Sequence, residues 1–316
     1  MNEGYIYRDR VAPRFAGRPA LEFYAESYPH STAGEWAMRF REGRIRRAGA
    51  PIPPEAPLRT GDQLEWHRPP WQEPPVPTEI PVVLEDDDLL VVNKPAGLPV
   101  LPRSGYLQNT LLWMLRRRAG TPHTLSPVHR LDCGTSGLLV LGKTRLALQR
   151  LGRALARGEI ERRYLAVLEG LPAADEFTVD QPIGRLPYPR IGFLHGAAAD
   201  GKPARTRFRV LERDTPSGVT LAEARLESGR THQIRIHAAV AGYPLAGDPG
   251  YLRGGLPRYV PSPAAGSALS PVATGYRLHS WQARLQHPRT AQPLDLTVAP
   301  PDSFWTRTIT PEHSRP

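Results

Sequence analysis

The sequence predicts an α+β protein: a mixed, largely antiparallel central sheet flanked by helices and loops, with a small basic module in front of it. Two observations carry this. Short β-patterned runs follow one another from about residue 81 to 298, interrupted by few helical patterns and without regular strand–helix alternation. A proline-dense stretch, RPPWQEPPVPTEIP, separates them from the first 68 residues. A chain of 316 residues is also long for one compact domain.

In residues 1–68, STAGEWAMRF has few breakers and predicts a helix through about Phe40, with Ser31 as N-cap. Arg39, Arg41, Arg44, Arg46 and Arg47 follow through the helix end and the turn. A solvated face explains such a cluster; a phosphate-facing patch explains its density better. Thr60-Gly61-Asp62 then marks a turn before a short strand, Gln63 to His67. Residues 69–78 read as an extended linker, 79–302 as the main domain, and 303–316 as a tail.

Within the main domain, strands are expected at Pro81–Leu84, Leu89–Asn93, Gly137–Leu141, Arg163–Glu169, Thr206–Glu212 and Val219–Leu226. Further strands are expected at His232–His237, Arg277–Arg284 and Leu294–Val298. Helices are expected at Gln108–Arg118 and Arg145–Arg157, the latter with Leu146, Ala147, Leu151 and Leu155 on one face. A third, centred on Ile236–Ala241, overlaps the strand assigned to His232–His237. Pro257–Thr274 reads as a long surface loop.

The net charge of +10 points to a polyanionic partner, most often nucleic acid. Only three of 41 basic residues are lysine (Lys94, Lys143 and Lys202), each beside turn residues. No window has 18 uncharged apolar residues, and MNEGYIYRDR lacks the apolar core of a secretory signal, so a cytoplasmic location is expected. With one cysteine, Cys133, neither an intrachain disulfide nor a cysteine-based zinc site is expected.

Three segments hold candidate chemistry. In SPVHRLDCGTSGLLVLGKT, the polar residues His129, Arg130 and Asp132 run into an apolar strand. A carboxylate at the mouth of a buried strand needs a cationic partner, which keeps it ionised; a turn cap or a structural ion pair are the plainer alternatives. In ESGRTHQIRIHAAVAGYPLAGDPGYL, period two places Gln233, Arg235 and His237 on the polar face of a strand. Arg235 is then either solvated beside Gln233 or paired with Asp132. In EIERRYLAVLEG, Tyr164 shares a strand face with Ala166 and Leu168, the usual place of a core aromatic. His129, Asp132, His232 and His237 do not make a metal site, because the strand spacing sends His232 and His237 to opposite faces and no HExxH is present.

Together HRLDCGTSGLLVLGKT, RRYLAVLEG, GRTHQIRIHAAVAGYPLAGDPGYL and RLHSWQARLQHP, with VVNKPAGLPVLP upstream, resemble the RluA-type RNA pseudouridine synthases over about residues 79–300. The resemblance implies the pseudouridine synthase fold. It implies an isomerase that converts uridine in structured RNA, ribosomal or transfer, by breaking the N-glycosidic bond and rejoining uracil through carbon 5. Neither metal nor cofactor is implied, and monomers are the family's tendency. By resemblance Asp132 is the catalytic aspartate, Tyr164 the active-site tyrosine, and Arg235 the arginine that salt-bridges the aspartate. Arg130 helps flip the target nucleotide and takes its place. His129 and Gln233 flank these residues as substrate contacts, and Leu138 would wall the site against water. Attack on the sugar, attack on the base and elimination to a glycal all remain open. Arg162 stands where the family usually has lysine. The first module more weakly resembles the α-L RNA-binding module, with Arg44, Arg46 and Arg47 as its RNA contacts.

Overall fold

A computed structural model describes residues 1–103, 105–118, 120–121, 123–189, 191–259 and 274–305. Most of the expected Pro257–Thr274 loop and of the 303–316 tail lies outside them. The chain divides into two compact units, Met1–Glu73 with Leu186–Leu194, and Pro74–Arg185 with the described residues from His195 onward.

The first unit contains β1 (Tyr5–Arg10), α1 (Ala20–Ser27), α2 (Ala33–Arg41), β2 (Ile45–Arg47), β3 (Ala50–Pro51) and β4 (Gln63–Arg68). Its sheet runs β1-β4-β2-β3, over a core of Phe15, Tyr24, Trp36, Phe40, Ile45 and Leu64. The cap of α2 is Thr32 rather than Ser31. Thr32 accepts from the Glu35 amide at 3.2 Å and Glu35 accepts from the Thr32 amide at 2.6 Å, a reciprocal capping box. The Ser31 hydroxyl is instead taken by Arg39, at 3.0 Å.

The larger sheet is built from β5 (Val82–Glu85), β6 (Leu89–Lys94), β7 (Ser126–Pro127), β8 (Ser136–Gly142), β9 (Glu161–Glu169) and β10 (Glu176–Val179). It is completed, after the ribbon β11 (Ile183–Tyr188) and β12 (Gly192–Ala197), by β13 (Thr206–Asp214), β14 (Val219–Leu226), β15 (Leu278–Gln286) and β16 (Pro293–Thr297). Its path is β10-β13-β14-β9-β15-β8-β6-β5, with β16 on β15 and β7 on β8. Neighbours pair antiparallel except β8 and β15, which run parallel. Helices α3 (Leu111–Arg116), α4 (Arg145–Ala156) and α5 (Gln233–Val240) complete the unit.

Two departures matter for the site. THQIRIH is not a strand: Gln233 to Val240 are helical, so the helix expected around Ile236–Ala241 begins earlier and replaces the strand expected at His232–His237. Alternating Ile234 and Ile236 imitate a strand, but the helix is buried on nearly every side, from Gln233 to Ala239, so it lacks the polar face that marks helical period. Leu138 is not a wall of the site either. It is buried with Leu89, Val91 and Leu151 on one side of the sheet, whereas Leu139 joins Leu131, Tyr164 and Ile234 on the other.

Where β8 meets β15, Gly137 adopts φ 106°, and a Cβ there would lie 2.2 Å from the Ser280 carbonyl oxygen. Gly137→Ala therefore combines a left-handed penalty with a backbone clash and should cost about 3 kcal/mol or more, read as a lowered urea midpoint. Unchanged stability would mean that β8 and β15 are not in this register.

Candidate active site

The loop before β8 is pinned from both sides. Leu131 and Cys133 are buried, which turns the intervening Asp132 outward. The Cys133 carbonyl accepts from the Gly97 amide at 2.8 Å and from Lys94 Nζ at 3.1 Å. Lys94 is fully buried and also donates to the carbonyls of Pro95 and Leu98, both at 2.8 Å. Burial pulls its pKa down to about 7, against the smaller opposing effects of Cys133 and Asp132. Three carbonyls take the three protons of an ammonium, so the lysine clamps the Asp132 loop onto the strand β6. Lys94→Met leaves those carbonyls bare and should destabilise the protein by about 3 kcal/mol or more. A thermal melt within a degree or two of wild type would remove this role.

Asp132 keeps 21% side-chain exposure. Burial alone would raise its carboxyl, but His232, Arg235, Arg130 and Arg103 outweigh that and hold it below 3.8. Among the described residues no side chain hydrogen-bonds the carboxylate. The nearest ring nitrogen, His232 Nε2, is 3.7 Å from Oδ1.

Arg235 is thus near Asp132 in charge but not its salt-bridge partner. That partner is Asp248: Nε donates to Oδ2 and Nη2 to Oδ1, each at 2.7 Å, with both side chains 1% exposed. The strand reading aimed Arg235 at Asp132; on α5 its fork lies flat against the turn that carries Asp248. Its guanidinium also packs over Tyr276 at 4.1 Å and Tyr251 at 5.0 Å. Burial opposes the charge and the Asp248 pair more than offsets it, raising the pKa. The remaining nitrogen, Nη1, is buried without a partner among the described residues.

Tyr164 is buried, with Ala224 and Ser280 as its cross-strand neighbours. Burial raises its phenol pKa, against Arg162 and Ser280, so the hydroxyl keeps its proton at neutral pH. Arg130 is exposed and donates to Thr231 Oγ1 at 2.7 Å, which ties the HRLD loop to the start of α5.

Two expected substrate contacts are corrected. His129 is buried, and its Nε2 accepts from the Val140 amide at 3.3 Å; burial, then Arg162, lowers its pKa to about 3. Gln233 is 2% exposed and fully used: it accepts from Ser228 and Arg230 and donates to Arg205 and Thr206. Both build the loops that carry the site. In the first unit, Arg44 pairs with Glu42 at 2.9 Å, Arg46 donates to the Gly43 carbonyl at 3.3 Å, and Arg47 pairs with Asp62 at 2.9 Å.

Sequence reasoning missed Asp248, Tyr251, Tyr276 and the approach of His232 to Asp132. The aspartate's one signal was its place in GDPG, a turn that frees a carboxylate to bond inward. Among the described residues no group of three or more His, Cys, Asp or Glu is placed to hold a metal. No helix is long and apolar enough to cross a membrane.

A largely buried, ionised carboxylate thus stands in front of a buried arginine–aspartate pair, beside a buried tyrosine, in the loop that leads into an interior strand of a mostly antiparallel sheet. The fold is that of pseudouridine synthases: human RNA pseudouridylate synthase domain containing 1 is similar, with a TM-score of 0.53 at 24% identity over 74% of this chain and 89% of that one. Residues 88–240 match the RNA pseudouridylate synthase family model. An uncharacterized RNA pseudouridine synthase of Synechocystis sp. is 38% identical over 92% of this chain and 96% of its own length. RNA pseudouridine synthase 5 of Oryza sativa is 37% identical over 97% and 89%. The ribosomal large subunit pseudouridine synthase D of Nitrosomonas europaea is 42% identical over 67% and 59%. The chain belongs to the RluA-type RNA pseudouridine synthases, which are isomerases.

Proposed function

We infer that the chain isomerises specific uridines in structured RNA, with large-subunit ribosomal RNA as the first substrate to test, and that Asp132 is the group acting on the glycosidic bond. One observation carries this reading: Asp132 is the partly exposed carboxylate on which His232, Arg235, Arg130 and Arg103 converge. An ionised carboxylate can attack the sugar or base, or take a proton from carbon 2′. The glycosidic bond of a stacked nucleotide is out of reach, so the base must leave the helix, at a cost of a few kcal/mol. In this reading exposed Arg130, held by Thr231, fills the gap, and the ring of Tyr164 packs against the uracil. The large-subunit target is suggested by the printed name of the Nitrosomonas relative.

The test is incubation with unmodified large-subunit ribosomal RNA and with transfer RNA transcripts, followed by carbodiimide primer extension. New stops at discrete uridines are expected; their absence from both RNAs would refute the reading.

The acid side of the pH profile follows from the depressed Asp132 pKa. A carboxyl held below 3.8 contributes to stability above that value and loses the contribution as pH falls through its lower folded value. Asp132 therefore imposes no loss of turnover between about pH 8 and pH 5. A rate profile whose acid limb is centred above about pH 5 would place a different carboxylate in the role.

For the first unit we infer RNA contact through its arginines. Neutralising Arg44 and Arg46 together should weaken binding and lower the salt slope by roughly one per phosphate lost. An unchanged slope would show that neither touches phosphate.

A further inference from the structure

Behind Asp132 lies a hydrogen-bond chain that the reading above does not use. The Tyr251 hydroxyl donates to the His195 carbonyl at 2.8 Å and stands 2.6 Å from His232 Nδ1. A phenol has a single proton. With that proton on the carbonyl, Tyr251 can only accept from His232, so the imidazole proton is locked on Nδ1. Nε2 then carries a lone pair, and Nε2 is the atom 3.7 Å from Asp132 Oδ1. Two acceptors face each other across a gap too wide for a direct hydrogen bond. They are satisfied only when something bearing a proton enters between them.

The layering agrees. His232 and Asp132 keep 10% and 21% side-chain exposure, whereas Tyr251 and Arg235 behind them are buried. His232 also holds a left-handed backbone, φ 57°, at the N-cap of α5. A residue with a Cβ pays about 1–2 kcal/mol there, and such strain is often kept at working sites. Burial brings the imidazole pKa down to about 4; Asp132 and Asp248 pull it up, and Arg235 and Arg103 push it further down. The ring is therefore unprotonated at neutral pH, unlike Tyr164, whose phenol keeps its proton.

We propose that His232 is a further catalytic residue, whose Nε2 lone pair accepts the proton that must leave carbon 5 of the rejoined uracil. This rests on pseudouridine formation being the reaction. Once carbon 5 has bonded to carbon 1′, it is tetrahedral and N1=C6 is a double bond. The C5–H bond then breaks and its proton passes to Nε2. Its electron pair forms C5=C6, and the N1=C6 pair withdraws onto N1. N1 takes a proton, from the imidazolium or from water, and the base is regenerated. No electron is gained or lost overall. The neighbouring Asp132 carboxylate stabilises the imidazolium while it lasts.

Single-turnover reactions test this on large-subunit ribosomal RNA and transfer RNA, each transcribed with ordinary or 5-deuterated uridine. His232→Gln should slow pseudouridine formation by roughly 10²-fold and show a larger isotope effect than wild type, because loss of the carbon 5 proton becomes limiting. Tyr251→Phe, which removes the lock on the tautomer, should do the same by a smaller factor and carries the test if His232→Gln does not fold. An active wild type whose variants keep its rate, or slow without any rise in isotope effect, overturns the His232 role alone. A wild type that converts no uridine in either RNA overturns the reaction, and this step with it.

Discussion

Asp132→Asn should bind RNA as wild type does, melt close to it, and form pseudouridine at least roughly 10⁴-fold more slowly, the upper end of what one acid–base group contributes. The amide keeps the shape of the side chain, so the loop held by Leu131, Cys133 and Lys94 is undisturbed. It removes the charge on which four basic side chains converge. Single-turnover kinetics on an unmodified transcript that the wild type converts read the effect. A variant within tenfold of wild type would mean that another group acts on the glycosidic bond.

The second large effect belongs to a residue behind the site. Asp248→Ala leaves the guanidinium of Arg235 buried without its carboxylate, and should cost about 3–5 kcal/mol. Arg235 is 1% exposed, so water cannot take over the lost hydrogen bonds. Replacing both partners, as Arg235→Met with Asp248→Leu, removes the buried charge along with its counterion and should recover much of that stability. The double variant should nonetheless stay slow, because Arg235 no longer helps to hold Asp132 ionised. Urea unfolding and turnover, measured on both variants, separate the two roles. Equal stability losses in the single and double variants would show that the pair is not a buried ion pair.

The parts of the site legible in the sequence were those whose local pattern matched their structure. HRLD ran into an apolar run, and β8 is a fully buried strand beginning at Ser136. Val219–Leu226 has the bounds expected of it. The first strand and first helix, Tyr5–Arg10 and Ala20–Ser27, went unassigned because YIYRDR mixes charge into a short run and ALEFYAES shows no clear apolar stripe.

The errors at the site share one cause. Period-two logic placed Arg235 and Gln233 on the polar face of a strand, yet both lie on a buried helix whose polar groups are satisfied from inside: Arg235 by Asp248, Gln233 by Ser228, Arg230, Arg205 and Thr206. A helix enclosed on all sides carries no periodic signature, and a partner in a turn farther along the chain leaves no local trace. Leu138 and Leu139 illustrate the same limit. Both are apolar and fully buried, and only the register of β8 against β6 shows which one faces Tyr164.

Pseudouridine mapping in cells tests the role of Asp132 most directly. Total RNA from a strain lacking this chain is compared with RNA from the same strain supplied with wild type or with Asp132→Asn. One or more uridines should be unmodified in the deletion, restored by wild type, and left unmodified by Asp132→Asn. Restoration by the asparagine variant, or no difference between the deletion and the parent, would contradict the assignment of Asp132 as the reacting carboxylate.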